Sequence, residues 1–423
     1  MKKRKILLFI FILLLVAIFI VFLYINNENK KRENKIKEEE KCEKIKGDIL
    51  SHYNTYVVTN DNSDLYVIEN GEYIKSGSIG KNQIIELKEI DITHEDTYLP
   101  LKNFDGYYIY YESVNKADGL IENNQRYKNY IPYNKNIVTN NSTSFYNESD
   151  ELVYSFDKSY DLPIIVNKTD KYGVEFNNQL LYVKKDDVKN IIEKENTTLE
   201  NTKSIAVLNY HFFFDDTLES ERKNCDQSIC ISTENYRKHL SYIKDNDIFT
   251  PTMEEFEMYL DSEIQLPKSV VITIDDGWRM ERGIELLEEY KLNGTVFLIT
   301  KYHADIPFLH SYKYVEFHSH GDDLHNQRDC PGGQGGAIKC KDKEFLLNDL
   351  AISSEKLGGS KYFCYPFYEF NDYSISVLKE AGFTMAFAGG GRRASIGVDK
   401  YRIPRFAIQR NTSVSEIANF IGN

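Results

Sequence analysis

The second half of the chain alternates between short apolar runs and amphipathic segments, and this alternation restricts the possible folds strongly. Runs such as "SIAVLNYH", "SVVITID" and "GTVFLIT" are rich in β-branched residues and are typical of buried strands. Segments with helical spacing, such as "MERGIELLEEYKLN", lie between them. Strand–helix alternation predicts a parallel sheet with right-handed crossover connections. We therefore predict that residues 204–423 fold as an α/β domain, a deformed or incomplete (β/α) barrel.

The N-terminus carries an uninterrupted apolar run from Ile6 to Ile25, preceded by the basic cluster Lys2–Lys5. The run has the ~20 residues that a helix needs to cross a bilayer. A signal peptide would have a shorter apolar core and a small-residue cleavage site. We therefore predict a single-pass transmembrane anchor at residues 6–25, in contact with the lipid bilayer. Because basic flanks stay in the cytoplasm, residues 1–5 are expected inside the cell and the C-terminal domain outside it.

Charge and cysteine content fit this external location. The formal net charge of −13 argues against nucleic acid as a partner. Cys225 and Cys230 lie close together in the sequence, as do Cys330 and Cys340, and each pair could form a disulfide in an oxidising compartment. A zinc site made by the four is the alternative, but neither pair has the usual Cys-x-x-Cys spacing. We favour disulfides. The sequence does not indicate an oligomeric state.

The region between the anchor and the α/β domain has a different sequence pattern. Residues 26–50 are highly charged and are predicted to form a stalk, and residues 51–190 show short strand-like runs separated by turn signals. "VVTNDNSDLYVIENGEYIKSGSIG" is similar to the later "IVTNNSTSFYNESDELVYSFDKS", which indicates a weak internal repeat. The pattern resembles tandem bacterial SH3-like domains at 51–117 and 134–190. An unrelated β-sandwich is the alternative.

Chemistry-bearing side chains follow two of the predicted strands in the α/β domain. Asp275 and Asp276 end the run "SVVITIDD". Three histidines follow another strand: His318, His320 and His325. Imidazoles and a carboxylate are the usual ligands of a catalytic zinc-like ion, and active sites collect at the carboxyl ends of barrel strands. The pattern predicts a metal site; the alternative is a polar turn and a chance cluster of histidines on a loop.

These motifs together resemble those of the polysaccharide deacetylases of carbohydrate esterase family 4. The resemblance rests on Asp275-Asp276-Gly277, on Ser319-His320 with a later histidine, and on "FCYPFYEFNDYSISVLKEAGF", and it covers about residues 204–410. Leu324 stands where the commoner spacing has the second histidine, so His325 would serve instead. That longer spacing resembles the poly-N-acetylglucosamine deacetylase branch of the family.

The resemblance implies roles for the motif residues. Asp276, His320 and His325 would hold a divalent metal ion, with Zn²⁺ expected and Co²⁺, Ni²⁺ or Fe²⁺ as alternatives. Asp275 would be the general base acting on water. The backbone N–H of Phe367 would help to stabilise the oxyanion.

Two further roles follow from departures from the family pattern. The usual third-motif arginine is absent, and Arg405 is predicted to replace it in orienting Asp275. No histidine follows His325, so His211 would be the general acid, in a circularly permuted arrangement. The alternative for His211 is a core or rim histidine. Tyr368 stands where the family usually has glycine.

The expected function is a metal-dependent hydrolase that removes N-acetyl groups from an N-acetylglucosamine-containing envelope or surface polysaccharide. Both peptidoglycan and poly-N-acetylglucosamine remain candidates for the substrate. The alternative from another class is a catalytically inactive, membrane-anchored wall-binding protein. The predicted segments are the tail 1–5, the anchor 6–25, the stalk 26–50, the β modules 51–117 and 134–190, and the catalytic domain 204–423.

Overall fold

The computed structural model describes residues 2–50, 56–88, 98–119 and 125–422. The chain forms two compact units. The first consists of residues 1–124, 138–161 and 175–190, and the second of residues 125–137, 162–174 and 191–423. The second unit thus includes residues 125–137, 162–174 and 191–203, which all precede the predicted domain start at residue 204.

A single long α-helix, Lys2–Leu50, covers both the predicted anchor and the predicted stalk. The side chains of residues 2–18, a range that includes residues 6–18 of the predicted anchor, lie outside the described part of the structure. Within the described part, no helix has both the length and the apolar character needed to cross a membrane. The anchor and the location outside the cell therefore stay predictions.

Short antiparallel strands follow the helix. Between residues 56 and 193 the strands are Tyr56–Thr59, Ser63–Glu69, Glu72–Ile79, Ile84–Glu86, Tyr98–Pro100, Tyr108–Tyr110, Val114–Ala117, Lys135–Thr139, Thr143–Tyr146, Leu152–Phe156, Asp161–Pro163, Val166–Asn167, Lys171–Phe176, Gln179–Lys184 and Val188–Glu193. In the first unit Leu152–Phe156 pairs with Glu72–Ile79, so strands from the two repeat copies share a sheet. The predicted all-β character is confirmed, whereas the SH3-like assignment and the module boundaries stay predictions.

The internal repeat is visible in the hydrogen bonds of the first unit. The backbone N–H of Thr59 donates to Gln83 O at 3.0 Å, and its hydroxyl accepts from the Gln83 N–H at 2.9 Å. Thr139 repeats this pattern with the backbone of Tyr160, at 3.0 and 2.8 Å. A threonine at the end of a strand therefore fixes the same kind of turn in both copies.

The second unit is built on a parallel sheet. We number its strands β1 to β7 in chain order: Ala206–Tyr210, Val270–Asp276, Gly294–Leu298, Val315–Ser319, Tyr362–Cys364, Met385–Phe387 and Phe406–Ala407. Their order in the sheet is β6-β5-β4-β3-β2-β1-β7, with parallel pairing throughout. An isolated parallel bridge joins Phe387 at the end of β6 to Ile403, which lies just before β7. The ring of strands is thus closed by one bridge, and the predicted deformed barrel is confirmed.

Helices surround this barrel. The α-helices are Glu219–Asn224, Thr233–Asp245, Met253–Leu260, Glu281–Tyr290, Thr300–His303, Ile306–Leu309, Lys343–Lys356, Asp372–Glu380 and Val414–Ile421. Short 3₁₀ turns occur at Arg126–Asn129, Ala337–Lys339, Pro366–Tyr368 and Lys400–Arg402, and a small parallel pair is formed by Phe212–Phe214 and Cys230–Ser232. Every residue of β1, β2 and β3 is buried, as their apolar sequences predict. Because these buried strands are parallel, the polar side chains that follow them project from the same, carboxyl-terminal end of the barrel.

Candidate active site

The paired acids lie at the carboxyl end of β2, and both are buried. Asp276 has a φ of +76° and Gly277 a φ of +110°, so the chain turns sharply as soon as the strand ends. A positive φ is costly for aspartate, and such strained residues are concentrated at functional sites. An ordinary polar turn would be exposed to solvent. The burial of two carboxylates here excludes that interpretation of the sequence.

Asp276 is adjacent to two of the three clustered histidines. Its Oδ1 lies 3.3 Å from His320 Nε2 and 3.2 Å from His325 Nε2. His320 Nδ1 donates a hydrogen bond to the carbonyl oxygen of Cys364 at 2.8 Å, which leaves Nε2 as the ligand nitrogen. The ligand atoms of the three residues all lie within 4.8 Å of one another. Two imidazoles and one carboxylate in this arrangement fit a divalent ion with open coordination positions.

The third histidine of the cluster lies elsewhere. His318 Nδ1 is 3.0 Å from the hydroxyl of Ser360, and its ring packs against Tyr362 at 4.8 Å between centroids. Leu324, at the position of the commoner second histidine, is fully buried in an apolar cluster. His325 is instead partly exposed and packs against the ring of Phe367 at 4.3 Å. The fold therefore places His325, and not His318, beside Asp276.

Asp275 has a different partner from its neighbour. Arg405 Nη1 donates to Asp275 Oδ1 and Nη2 to Oδ2, both at 2.8 Å, in a bidentate pair. The guanidinium is itself fully buried, and its Nε donates to the carbonyl oxygen of Ala388 at 3.2 Å. Burial on its own raises the pKa of Asp275, but the charge and hydrogen bonds of Arg405, together with the nearby His320 and His211, outweigh burial, and the net pKa is lowered. Asp275 is therefore held ionised and in one orientation.

Two residues at this site were not assigned a role from the sequence. The thiol of Cys364 donates to Asp275 Oδ2 at 3.3 Å and accepts from Arg405 Nη2 at 2.9 Å. Burial raises the pKa of Cys364 and keeps the thiol protonated. Tyr368 covers the Arg405 guanidinium at 5.2 Å, and its hydroxyl donates to Asn209 Oδ1. In the sequence, Cys364 lies within the predicted strand "KYFCYPF", and Tyr368 directly follows it, at the position where the family usually has glycine.

His211 follows β1 and lies near the same carboxylates. Its Nδ1 is buried and has no hydrogen-bond partner among the described residues. Burial lowers the pKa of His211, while the charges of Asp275 and Asp276 act in the opposite direction. Phe367 has a φ of +59° within the Pro366–Tyr368 turn. Across the described residues its backbone N–H makes no hydrogen bond within the chain, which leaves it available to a ligand.

Both predicted disulfides are present, Cys225–Cys230 and Cys330–Cys340. The second closes the glycine-rich loop after His325. Glu369 also fixes this loop, because its carboxylate accepts from the N–H groups of Gln334 and Gly336 at 2.6 and 2.7 Å. The alternative zinc site made by the four cysteines is therefore excluded.

Comparison with known proteins identifies this constellation. The model of the polysaccharide deacetylase family matches residues 263–386, which contain the paired acids, both neighbouring histidines and Cys364. The chain carries a polysaccharide deacetylase domain. It is an enzyme of the amide-hydrolase class, a polysaccharide N-deacetylase.

Several relatives cover this deacetylase domain. A poly-β-1,6-N-acetyl-D-glucosamine N-deacetylase from Staphylococcus aureus strain MSSA476 is 25% identical over 250 residues, covering 53% of this chain and 82% of the relative. Among solved structures, a de-N-acetylase from Aggregatibacter actinomycetemcomitans aligns with a TM-score of 0.44 at 24% identity, covering 51% of this chain and 99% of that one. IcaB from Ammonifex degensii aligns with a TM-score of 0.44 at 21% identity, over 53% and 99% of the two chains.

Proposed function

We propose that this deacetylase removes acetyl groups from a poly-β-1,6-N-acetylglucosamine polymer, in a reaction that depends on a divalent metal ion. The observation that carries the proposal is the group Asp276, His320 and His325 beside the Arg405-bound Asp275. The substrate is suggested by the S. aureus relative, whose name specifies this polymer. The position of His325, five residues after His320, supports the same branch of the family.

The metal-site residues fit the ion by their donor chemistry. His320 Nε2, His325 Nε2 and a carboxylate oxygen of Asp276 lie within 4.8 Å of one another, and the hydrogen bond of His320 Nδ1 to Cys364 O leaves its Nε2 for the ion. When bound there, a divalent ion such as Zn²⁺ supplies Lewis-acid polarisation of the acetyl carbonyl and acidifies water. The protein's own side chains then orient the acetamide group and transfer protons to and from water and the departing amine.

Asp275 is the general base in this proposal. It takes a proton from the attacking water, since Arg405 keeps its carboxylate ionised. The N–H of Phe367 donates to the developing oxyanion. As the carbon–nitrogen bond breaks, His211 gives a proton to the departing amine. The products are acetate and a free amino group on the sugar. A wall-binding protein that has lost activity is the second candidate, but the complete set of acids and histidines favours the enzyme.

Acetate release from defined polymers tests the substrate. The purified full chain in detergent, supplied with Zn²⁺, is incubated with poly-β-1,6-N-acetylglucosamine, with chitin oligomers and with peptidoglycan. We expect the fastest release from the β-1,6-linked polymer and none from the Asp275→Asn control. Faster release from peptidoglycan would overturn the proposed substrate, and the absence of release from all three would favour the inactive alternative.

We also propose that residues 6–25 anchor the enzyme in the cell membrane, with the deacetylase domain outside. The apolar run and the basic cluster before it support this arrangement. Protease added to intact cells should cleave the deacetylase domain from the cell surface. If the domain is protected in intact cells and cleaved only after lysis, the proposed orientation is wrong.

A further inference from the structure

The single tryptophan of the chain lies beside the proposed metal centre and is exposed. Trp278 comes two residues after Asp276, and 43% of its surface is accessible to solvent. Tryptophan is usually well buried, because its large ring gains free energy on leaving water. Tyr302, which is 56% exposed, adjoins it with ring centroids 5.8 Å apart. Two adjoining exposed rings next to a catalytic centre indicate a binding surface.

The structure holds these two rings in place. The ring of His303 packs edge to face with Trp278, at 4.8 Å and 89°. A Cβ on Gly277 would come within 2.6 Å of His303 Cδ2, so the glycine at this position is what allows the close packing. His303 therefore supports Trp278 from one side, and the Lys301 ammonium lies 5.7 Å from the centroid of the Tyr302 ring, while both rings stay substantially exposed.

The same surface is also tied to the metal-site loop. Tyr302 belongs to the helix Thr300–His303, and the N–H of Thr300 donates to Gly321 O at 3.1 Å. The Thr300 hydroxyl donates to Asp322 Oδ1 at 2.6 Å. Gly321 and Asp322 lie between His320 and His325 in the chain. Because the aromatic pair keeps a fixed position relative to the metal centre, a ligand bound there loses little free energy in ordering the side chains.

We propose that Trp278 and Tyr302 form a stacking subsite for a sugar ring of the polymer, next to the unit whose acetyl group reacts. This subsite rests on the proposed function, because it would hold the polymer on which the deacetylase acts. The C–H bonds on one face of a β-linked hexosamine form an apolar patch that packs on an aromatic face. Lys301, the charged neighbour of Tyr302, is paired with Asp323 at 2.7 Å, so the surface suits an uncharged N-acetylated unit.

A subsite next to the reacting unit makes recognition depend on chain length. An oligomer that covers both positions gains the stacking free energy, whereas a single sugar unit at the metal centre does not. Tryptophan and tyrosine are among the residues whose truncation most often weakens binding strongly, and a tenfold loss corresponds to about 1.4 kcal/mol. We expect Trp278→Ala to lower kcat/KM for an N-acetylglucosamine pentamer by about tenfold, mainly through KM.

Intrinsic fluorescence gives a direct readout, since all tryptophan emission of this chain comes from Trp278. The full-length Asp275→Asn variant is titrated with the β-1,6-linked N-acetylglucosamine pentamer, and a saturable change in emission is expected. Trp278→Phe, which keeps a ring, should restore most of the pentamer activity that Trp278→Ala loses. Phe308→Ala removes a ring that is 74% exposed on the next helix and should leave activity unchanged.

The outcomes separate the subsite from the activity. Constant emission with the pentamer, together with normal acetate release by Trp278→Ala, would overturn the subsite and leave the proposed function intact. A saturable emission change without acetate release by the wild-type enzyme would overturn the function and keep the subsite. A response to phospholipid vesicles or to protein concentration alone would assign the rings to a membrane or to a second copy, and would overturn the proposal.

Discussion

Asp275 and Asp276 are neighbours in the chain, yet their carboxylates have different partners. Arg405 holds the first by two hydrogen bonds, while the second faces two imidazole nitrogens. Burial alone would raise both pKa values; Arg405 acts most strongly against this at Asp275, whereas hydrogen bonds from His320 and His325 do so at Asp276. Different surroundings thus allow two adjacent acids to have two functions.

The first prediction concerns the metal ligands. His325→Ala should lose most of the bound metal after dialysis, because it removes one of three ligand atoms. His318→Ala is the matched control, since His318 bonds to Ser360 outside the group, and it should keep its metal. Elemental analysis of the purified variants measures this. Full metal content in His325→Ala, with loss in His318→Ala, would contradict the assignment.

The second prediction concerns Arg405. Arg405→Lys keeps the charge but loses the bidentate geometry, so we expect kcat to fall by about 10²-fold through misplacement of Asp275. Because Arg405 lowers the pKa of Asp275, weakening the pair should raise that pKa. The base is then protonated at higher pH, and the acidic limb of the kcat/KM profile should move upward in pH.

The control for this variant lies in the same segment. Arg402 is exposed and pairs with Asp372 at the surface, so Arg402→Lys should leave the pH profile unchanged. An acidic limb that moves equally in both variants, or in neither, would show that Arg405 does not tune the base.

At the scale of elements, a helix holds the loop between the two metal-site histidines. Asp349 on helix Lys343–Lys356 accepts from the N–H of Asp322 at 2.8 Å and from the N–H of Asp323 at 2.7 Å. Burial raises the pKa of Asp349 to about 6, so the carboxylate is ionised at neutral pH. It positions the loop that begins at His320 and ends at His325 without contacting either imidazole itself.

Replacing this carboxylate should weaken metal binding. In Asp349→Asn one acceptor oxygen becomes an NH₂ group, which faces a backbone N–H and cannot accept from it. We expect metal affinity to fall about tenfold, in the range seen for residues that support ligands. Competition with a chelator measures the affinity. Asp342→Ala, which removes the N-cap of the same helix, should lower stability by about 1 kcal/mol without changing metal affinity.

At the scale of the whole molecule, segments from before residue 204 are part of the catalytic unit. The Ile131 N–H donates to Gln265 O at 2.8 Å, and the Asn167 N–H donates to Glu263 O at 2.7 Å. Arg126 pairs with Glu255, whose side chain is nearly buried and also caps its own helix at Thr252. A catalytic fragment that begins near residue 201 lacks all of these contacts.

We therefore expect such a fragment to be less stable than the full chain. A fragment of residues 201–423 should unfold several degrees lower, since about 1 kcal/mol already shifts the Tm of a domain this size by about 2–4 °C. In the full chain, Arg126→Ala should cost about 2 kcal/mol by leaving Glu255 without its cation. Arg237→Ala, which breaks an exposed pair with Glu289, should cost little. Equal Tm values for the fragment and the full chain would support the predicted boundary at 204 and contradict a stabilising role for the earlier segments.

The sequence alone was sufficient for features that depend on local pattern. Runs of β-branched residues that alternate with amphipathic helices predict buried parallel strands, and in such a sheet polar residues at the strand ends gather at one edge. This is why Asp275, Asp276, His320 and His325 could be placed together before the fold was known. The two disulfides close short loops, with separations of 5 and 10 residues, and were predictable for the same reason.

The tertiary structure decided what joins distant parts of the chain. The family resemblance suggested that Arg405 orients Asp275, but the two are 130 residues apart, and the pairing of β7 with β1 and of β1 with β2 is what brings the guanidinium to the carboxylate. The roles of Cys364, Tyr368 and Asp349 likewise depend on which strands and helices are neighbours. Periodicity in the sequence does not predict such contacts, because these side chains become buried, paired and hydrogen-bonded to one another only after the barrel has closed.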